Sequence, residues 1–122
     1  MKTILFIEDE SALQKTFGEI LKQNNYKMIS ALDGETGLRL AQDEKPDLIL
    51  LDLILPRLNG FEVLKKLKEN PQLKEIPIIV LTNLEEVSSV EKAIESGATT
   101  YLVKAQYSLE EVIQKIKQAL GE

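Results

Sequence analysis

The chain is expected to fold as an α/β domain, a parallel sheet with helices on both faces, and three observations lead there. Five short apolar runs alternate along the whole length with stretches of helical period, which is the mark of repeated strand and helix units. Most of the runs are apolar throughout rather than alternating, as strands covered on both faces are. Four of them end at or just before a polar residue suited to chemistry, so that a parallel arrangement would gather those residues along one edge of the sheet. The length of 122 residues fits one domain over residues 1–122, with a single core and no room for a second folded unit.

Strands are expected at Thr3–Ile7, Lys27–Ala31, Leu48–Leu51, Ile78–Leu81 and Thr100–Val103, with helices between and after them. The second run is mixed in polarity, as suits an edge strand with one side near water. In the first helix Leu13, Phe17, Ile20 and Leu21 form one stripe, and in the last Leu109, Val112, Ile113, Ile116 and Leu120 form another, both facing the sheet. Ser108 and Glu111 have the spacing of a capping box and mark the start of that last helix. Pro46, Pro71 and Pro77 lie on the approaches to the third and fourth strands, where a missing N–H is harmless. No repeat, linker or low-complexity tract interrupts the pattern.

Composition excludes several functions. A net charge of −5 without a Lys/Arg cluster argues against direct nucleic-acid binding. The absence of Cys removes disulfides, thiol catalysis and Cys-ligated zinc, and the absence of His removes a Ser-His-Asp triad, a His-ligated metal and a phosphohistidine on this chain. Met1-Lys2-Thr3-Ile4-Leu5 is too short an apolar stretch for a signal peptide or a membrane span, so a cytoplasmic protein without membrane contact is expected.

The chemistry-bearing residues are Glu8 and Asp9 after the first run, Asp52 after the third, Thr82 after the fourth and Lys104 after the fifth. Each has a plain structural reading. Glu8-Asp9-Glu10 can be a helix entry, Thr82 a cap or strand end, and Lys104 a surface lysine. Asp52 resists such a reading, because a lone carboxylate in Leu51-Asp52-Leu53-Ile54-Leu55 must be buried or aimed into a cleft. Random polar residues would fall at either end of their strands; these all fall at the same end. Three acids, a hydroxyl and an ammonium group converging on one edge make a site for a metal and a phosphoryl group.

Over essentially its full length the chain resembles the receiver domains of bacterial response regulators. The resemblance rests on Glu8-Asp9, Asp52, the turn Leu55-Pro56-Arg57-Leu58-Asn59-Gly60, Thr82, the run Gly97-Ala98-Thr99-Thr100-Tyr101-Leu102-Val103, and Lys104. It implies a flavodoxin-like doubly wound (βα)5 fold with a five-stranded parallel sheet of order 2-1-3-4-5, an order taken from the resemblance and not from the residues. It further implies a stand-alone phosphoacceptor signalling domain, not an enzyme, that takes a phosphoryl group onto Asp52 from a sensor histidine kinase or histidine phosphotransfer protein. Three carboxylates in one crevice repel by roughly 3 kcal/mol per pair at ~5 Å and an effective dielectric near 20, and a divalent cation resolves this. Mg²⁺ suits the all-oxygen set, with Glu8, Asp9, Asp52 and the Ile54 backbone carbonyl as the protein ligands. Lys104 would pair with the phosphoryl oxygens. Thr82 would bond the product phosphate, and its movement would let Tyr101 turn inward and reshape the surface around the fourth helix, fifth strand and fifth helix. That surface would engage a downstream protein target or, on phosphorylation, a second copy of the chain. Tyr101 is otherwise an ordinary strand aromatic, and Asn59-Gly60 reads as a turn in which Gly supplies positive φ.

Two departures from the family pattern bear on the site. Receivers usually carry Pro in a cis peptide after the lysine, and here the pair is Lys104-Ala105, for which a cis bond with Lys104 still in the cleft is expected. The residue after the switch threonine is usually small, and here it is Asn83, whose amide narrows the entrance or donates to the phosphoryl group. If these changes disable the site, the chain is a receiver-shaped interaction module that no longer accepts phosphate. A haloacid-dehalogenase-like phosphatase would need a second Asp at position 54, which is Ile, and a flavodoxin-like cofactor carrier would need a Gly/Ser/Thr-rich first loop, where Glu8-Asp9-Glu10 stands. The resemblance also implies that Ile54 and Leu84 would flank the path of an attacking water, and since neither side chain can hydrogen-bond it, a long-lived phosphorylated state is expected.

Overall fold

The computed structural model describes residues 1–122. Five strands, β1 (Thr3–Ile7), β2 (Lys27–Ala31), β3 (Leu48–Leu51), β4 (Ile78–Thr82) and β5 (Thr100–Val103), alternate with helices α1 (Ser11–Gln23), α2 (Gly34–Glu44), α3 (Gly60–Glu69), α4 (Val87–Glu95) and α5 (Leu109–Ala119). All neighbouring strands pair in parallel in the order β2-β1-β3-β4-β5. Four strands match their expected bounds, and β4 runs one residue further because Thr82 continues the ladder opposite Val103. Every residue of β3 and β4 is buried, whereas β2, at the edge, exposes Lys27 and Ser30.

Alternation along the strands divides the core into two layers. One face carries Ile4, Phe6, Leu48, Leu50, Ile79 and Leu81, covered by Phe17 and Leu21 of α1 and by Val112, Ile113 and Ile116 of α5. The other carries Leu5, Ile7, Ile49, Leu51, Ile78 and Val80, covered by Ala41 of α2, Val63, Leu64 and Leu67 of α3, and Ala93 of α4. The stripes read from the sequence therefore face the sheet as expected, and the Ser108–Glu111 capping box is formed in both directions, at 3.2 and 2.9 Å. No helix is long and apolar enough to cross a membrane.

Gly60 corrects the expectation of positive φ. Its backbone is not left-handed; the positive φ of this connection, 68°, belongs to Arg57. What Gly60 supplies is the missing side chain, since a Cβ there would lie 2.3 Å from the Leu53 Cα and 2.4 Å from the Asp52 carbonyl oxygen. With Asn59 capping α3 through the Glu62 N–H at 3.1 Å, the start of α3 is seated directly on the acceptor segment.

Candidate functional site

Glu8 and Asp52 follow the last residues of β1 and β3, and the parallel register of Ile7 with Leu51 sets them side by side. Asp9 comes next in the turn into α1, and carboxylate oxygens of Glu8, Asp9 and Asp52 all lie within 4.8 Å of one another. These acids do not cap α1: Glu10 is the capping residue and its side chain makes no capping bond. Glu8 turns inward instead, its Oε2 accepting the Glu10 N–H at 3.0 Å. Glu8 and Asp52 are buried, at 1% and 4% exposure, while Asp9 is exposed. A cleft of about 310 Å³ opens above them, lined also by Glu10, Ile54, Asn83 and Lys104.

Lys104 reaches into this cleft. Its Nζ lies 2.5 Å from Glu8 Oε1 and donates to Asp52 Oδ2 at 3.0 Å, while Asp52 Oδ1 accepts the Ile54 N–H at 3.1 Å. Burial lifts the Glu8 carboxyl to about 7, Lys104 and the Glu10 N–H opposing the shift and the Asp52 charge adding to it. At Lys104 burial acts to lower the ammonium pKa, but the bonds and charges of Glu8 and Asp52 outweigh it and leave the group above its ordinary value.

The expectation of a cis bond after Lys104 is not met, since every peptide bond in the chain is trans. The chain leaves β5 through a single 3-10 turn over Lys104–Gln106, and this path suffices to aim the lysine at the acids with Ala in the following position. Thr82 is fully buried at the end of β4, the strand beside β3, and its hydroxyl has no hydrogen-bond partner. Tyr101 is half-buried and its hydroxyl donates to the Leu84 carbonyl at 2.8 Å, tying β5 to the loop before α4. Asn83 is exposed and sits on the rim between the acidic cleft and an apolar groove of about 290 Å³ lined by Leu13, Phe17, Tyr107, Leu109 and Val112 among others.

One residue of the site region escaped the sequence reading. Gln14, on α1, is buried beneath the β1 end and its amide donates to the carbonyl oxygens of Phe6, Glu8 and Ala31. The available signal was its position three residues before Phe17 and seven before Leu21, a polar side chain on a buried stripe.

Comparison with known proteins agrees with this arrangement. A family model, the response regulator receiver domain, matches residues 4–117. The chain is 38% identical over 104 residues to the transcriptional regulatory protein AfsQ1 of Streptomyces coelicolor, a match covering 85% of this chain and 45% of AfsQ1. It is 33% identical over 121 residues to the polar-differentiation response regulator DivK of Brucella anthropi, covering 99% of this chain and 98% of DivK. The chain thus spans less than half of the first relative and nearly all of the second. Among solved structures it is similar to the receiver domain of a Pseudomonas aeruginosa sensor histidine kinase, at a TM-score of 0.89 and 26% identity over 99% of this chain and 98% of that one, which holds a magnesium ion in its active-site cleft. With the five-stranded order, the clustered acids and the family match in agreement, the chain belongs to the response regulator receiver domains, the signalling modules of two-component systems.

Proposed function

We propose that this chain accepts a phosphoryl group on Asp52 from a phosphohistidine of a sensor histidine kinase or histidine phosphotransfer protein. The observation that carries the reading is a buried Asp52 held at 3.0 Å by Lys104 within a cluster of three carboxylates. A carboxylate oxygen of Asp52 attacks phosphorus, forming a P–O bond as the P–N bond to imidazole breaks and its electron pair leaves with the imidazole nitrogen. Lys104 stays charged through the step, because the acids around it raise its pKa, and it neutralises oxygens of the transferring group.

The residues fit Mg²⁺. The donor set is all oxygen, its members lie within 4.8 Å of one another, and Ile54 borders the same cleft. Glu8, Asp9, Asp52 and the Ile54 carbonyl would hold the ion, as the magnesium in the Pseudomonas receiver's cleft supports. Bound there, Mg²⁺ supplies positive charge that offsets the carboxylates and the phosphoryl oxygens.

The unpartnered Thr82 hydroxyl is free to donate to the product phosphate. Its reorientation would change the packing beneath Tyr101, whose hydrogen bond to Leu84 already links β5 to the approach of α4, and so alter the α4-β5-α5 surface read by a downstream protein or by a second copy. Charge-assisted bonds of about 1.5 to 3 kcal/mol each bias that equilibrium without fully reversing a 1:99 ratio, which needs about 5.5 kcal/mol.

The test is incubation with acetyl phosphate and Mg²⁺ followed by intact mass. The wild type is expected to gain one phosphoryl group, and Asp52→Asn or chelation of the metal to abolish the gain. A gain that survives Asp52→Asn places the acceptor elsewhere, and a gain that survives chelation removes the role given to Asp9. No gain in the wild type would favour an interaction module that has lost phosphoryl acceptance.

A further inference from the structure

We propose that Gln14 is a positioning residue for the acid cluster, its buried amide fixing the carboxyl end of β1 so that Glu8 presents its carboxylate to a divalent cation. The inference rests on the reading of Glu8, Asp9 and Asp52 as metal ligands. Gln14 is 5% exposed, and its Nε2 donates to the Phe6 carbonyl at 2.8 Å and to the Glu8 and Ala31 carbonyls at 3.1 Å each. An amide nitrogen has two hydrogens, so three carbonyls share them. Phe6 and Glu8 bracket the last residue of β1, Ala31 ends β2, and the Glu8 N–H also donates to Ala31 at 2.9 Å. One side chain therefore clasps the ends of two strands at the point where β1 hands over to the acidic turn.

Glu8 is then fixed at its carbonyl by Gln14, at its N–H by the Ala31 carbonyl, and at its carboxylate by the Glu10 N–H at 3.0 Å and the Lys104 ammonium at 2.5 Å. The other end of Gln14 shows that packing is not its purpose, because its Oε1 is buried without a partner. Burying an unpaired acceptor is unfavourable, and a Leu or Met would fill the stripe beside Phe17 and Leu21 without it. What an apolar residue cannot supply is the N–H pair. Deprived of it, the Glu8 carbonyl must turn toward another donor, and rotation of the peptide after Glu8 swings the Glu8 carboxylate out of line with the other acids. Outer hydrogen bonds of this kind orient metal ligands and typically matter 10- to 100-fold in affinity.

The test uses the full chain and Mg²⁺ itself. Gln14→Met keeps length and volume while removing the donors, and calorimetric titration is expected to show Mg²⁺ affinity reduced roughly tenfold or more. Chemical denaturation should remain cooperative, and phosphorylation by acetyl phosphate should recover at saturating Mg²⁺. In a Glu8→Gln background, where Asp9 and Asp52 remain to bind the ion, the same change should cost less than about twofold, since its partner in the coupling is gone. Affinity unchanged by Gln14→Met, or an equal loss in both backgrounds, overturns the proposal while leaving the metal reading in place. A wild type that does not bind Mg²⁺ removes the metal reading and this proposal with it. Should Gln14→Met fail to fold, Gln14→Asn, which withdraws the amide by one methylene, is judged by the same outcomes.

Discussion

Glu8 is buried to 1% exposure, and burial lifts its carboxyl from the ordinary 4.5 to about 7. In metal-free protein the folded state therefore keeps a proton that the unfolded chain releases above 4.5. This contribution to stability is fully present below 4.5 and is lost as pH rises through about 7. Denaturation in chelator is expected to show Glu8→Gln flattening the fall in stability between pH 5 and 8, and a wild type and variant with parallel pH profiles would contradict the burial argument. A second expectation concerns Ile54, which is 54% exposed, and Leu84, which is half-buried. Neither side chain can orient a water for attack on the acyl phosphate, so the phosphorylated form should last for hours. Replacing the two by Asn and Glu should shorten its lifetime by roughly tenfold or more, as followed by intact mass. Loss within a minute in the wild type, or no acceleration in the double variant, would show that these positions do not control hydrolysis. Asp52 was legible because a lone carboxylate in an apolar run has no easy structural use, and Glu8 and Lys104 because they follow their strands at the same end as Asp52 does. Gln14 was not, since an uncharged polar residue on a helical stripe does not declare which end of its side chain matters.

At the scale of elements, two glycines make opposite predictions. Gly60 sits at the first position of α3, and a Cβ there would meet the backbone of Leu53 and Asp52 at 2.3 and 2.4 Å, which cannot yield without moving the acceptor. Gly60→Ala is expected to cost at least about 1 to 3 kcal/mol, the usual penalty of overpacking. Gly18, within α1, would place its Cβ 3.2 Å from the Met28 Cε, the far end of a flexible side chain. Gly18→Ala should stabilise by about 0.5 to 1 kcal/mol through helix propensity. Chemical denaturation checks both, and equal effects would mean that the seat of α3 on Asp52 is not tight. The strands and the capped start of α5 were readable because their signals are local: continuous apolar runs and a Ser–Glu spacing. The role of Gly60 was not, because a close approach between segments leaves the same residue in the sequence as a left-handed turn does. The path after β5 was misjudged for a related reason: a 3-10 turn over Lys104–Gln106 delivers the lysine without a cis bond, and nothing in Lys-Ala-Gln announces it.

For the molecule as a whole, parallel winding turns four separated segments into one site. β1, β3 and β4 are adjacent, β5 lies beyond β4, and all end on the same edge, so residues 8, 52, 83 and 104 line one cleft without any one loop having to hold them, with Thr82 buried at the end of β4. The two-layer core was legible from helical stripes, but the strand order was not: strands buried on both faces look alike in sequence, and only the family resemblance supplied 2-1-3-4-5. The central claim is that Asp52 alone carries the phosphoryl group. It is tested most directly by phosphorylating the chain with acetyl phosphate and Mg²⁺, reducing the acyl phosphate with borohydride, and locating the modified residue by peptide mass spectrometry. Modification at position 52 and nowhere else is predicted, and modification at Glu8, at Asp9 or at any other residue with position 52 intact would contradict the assignment.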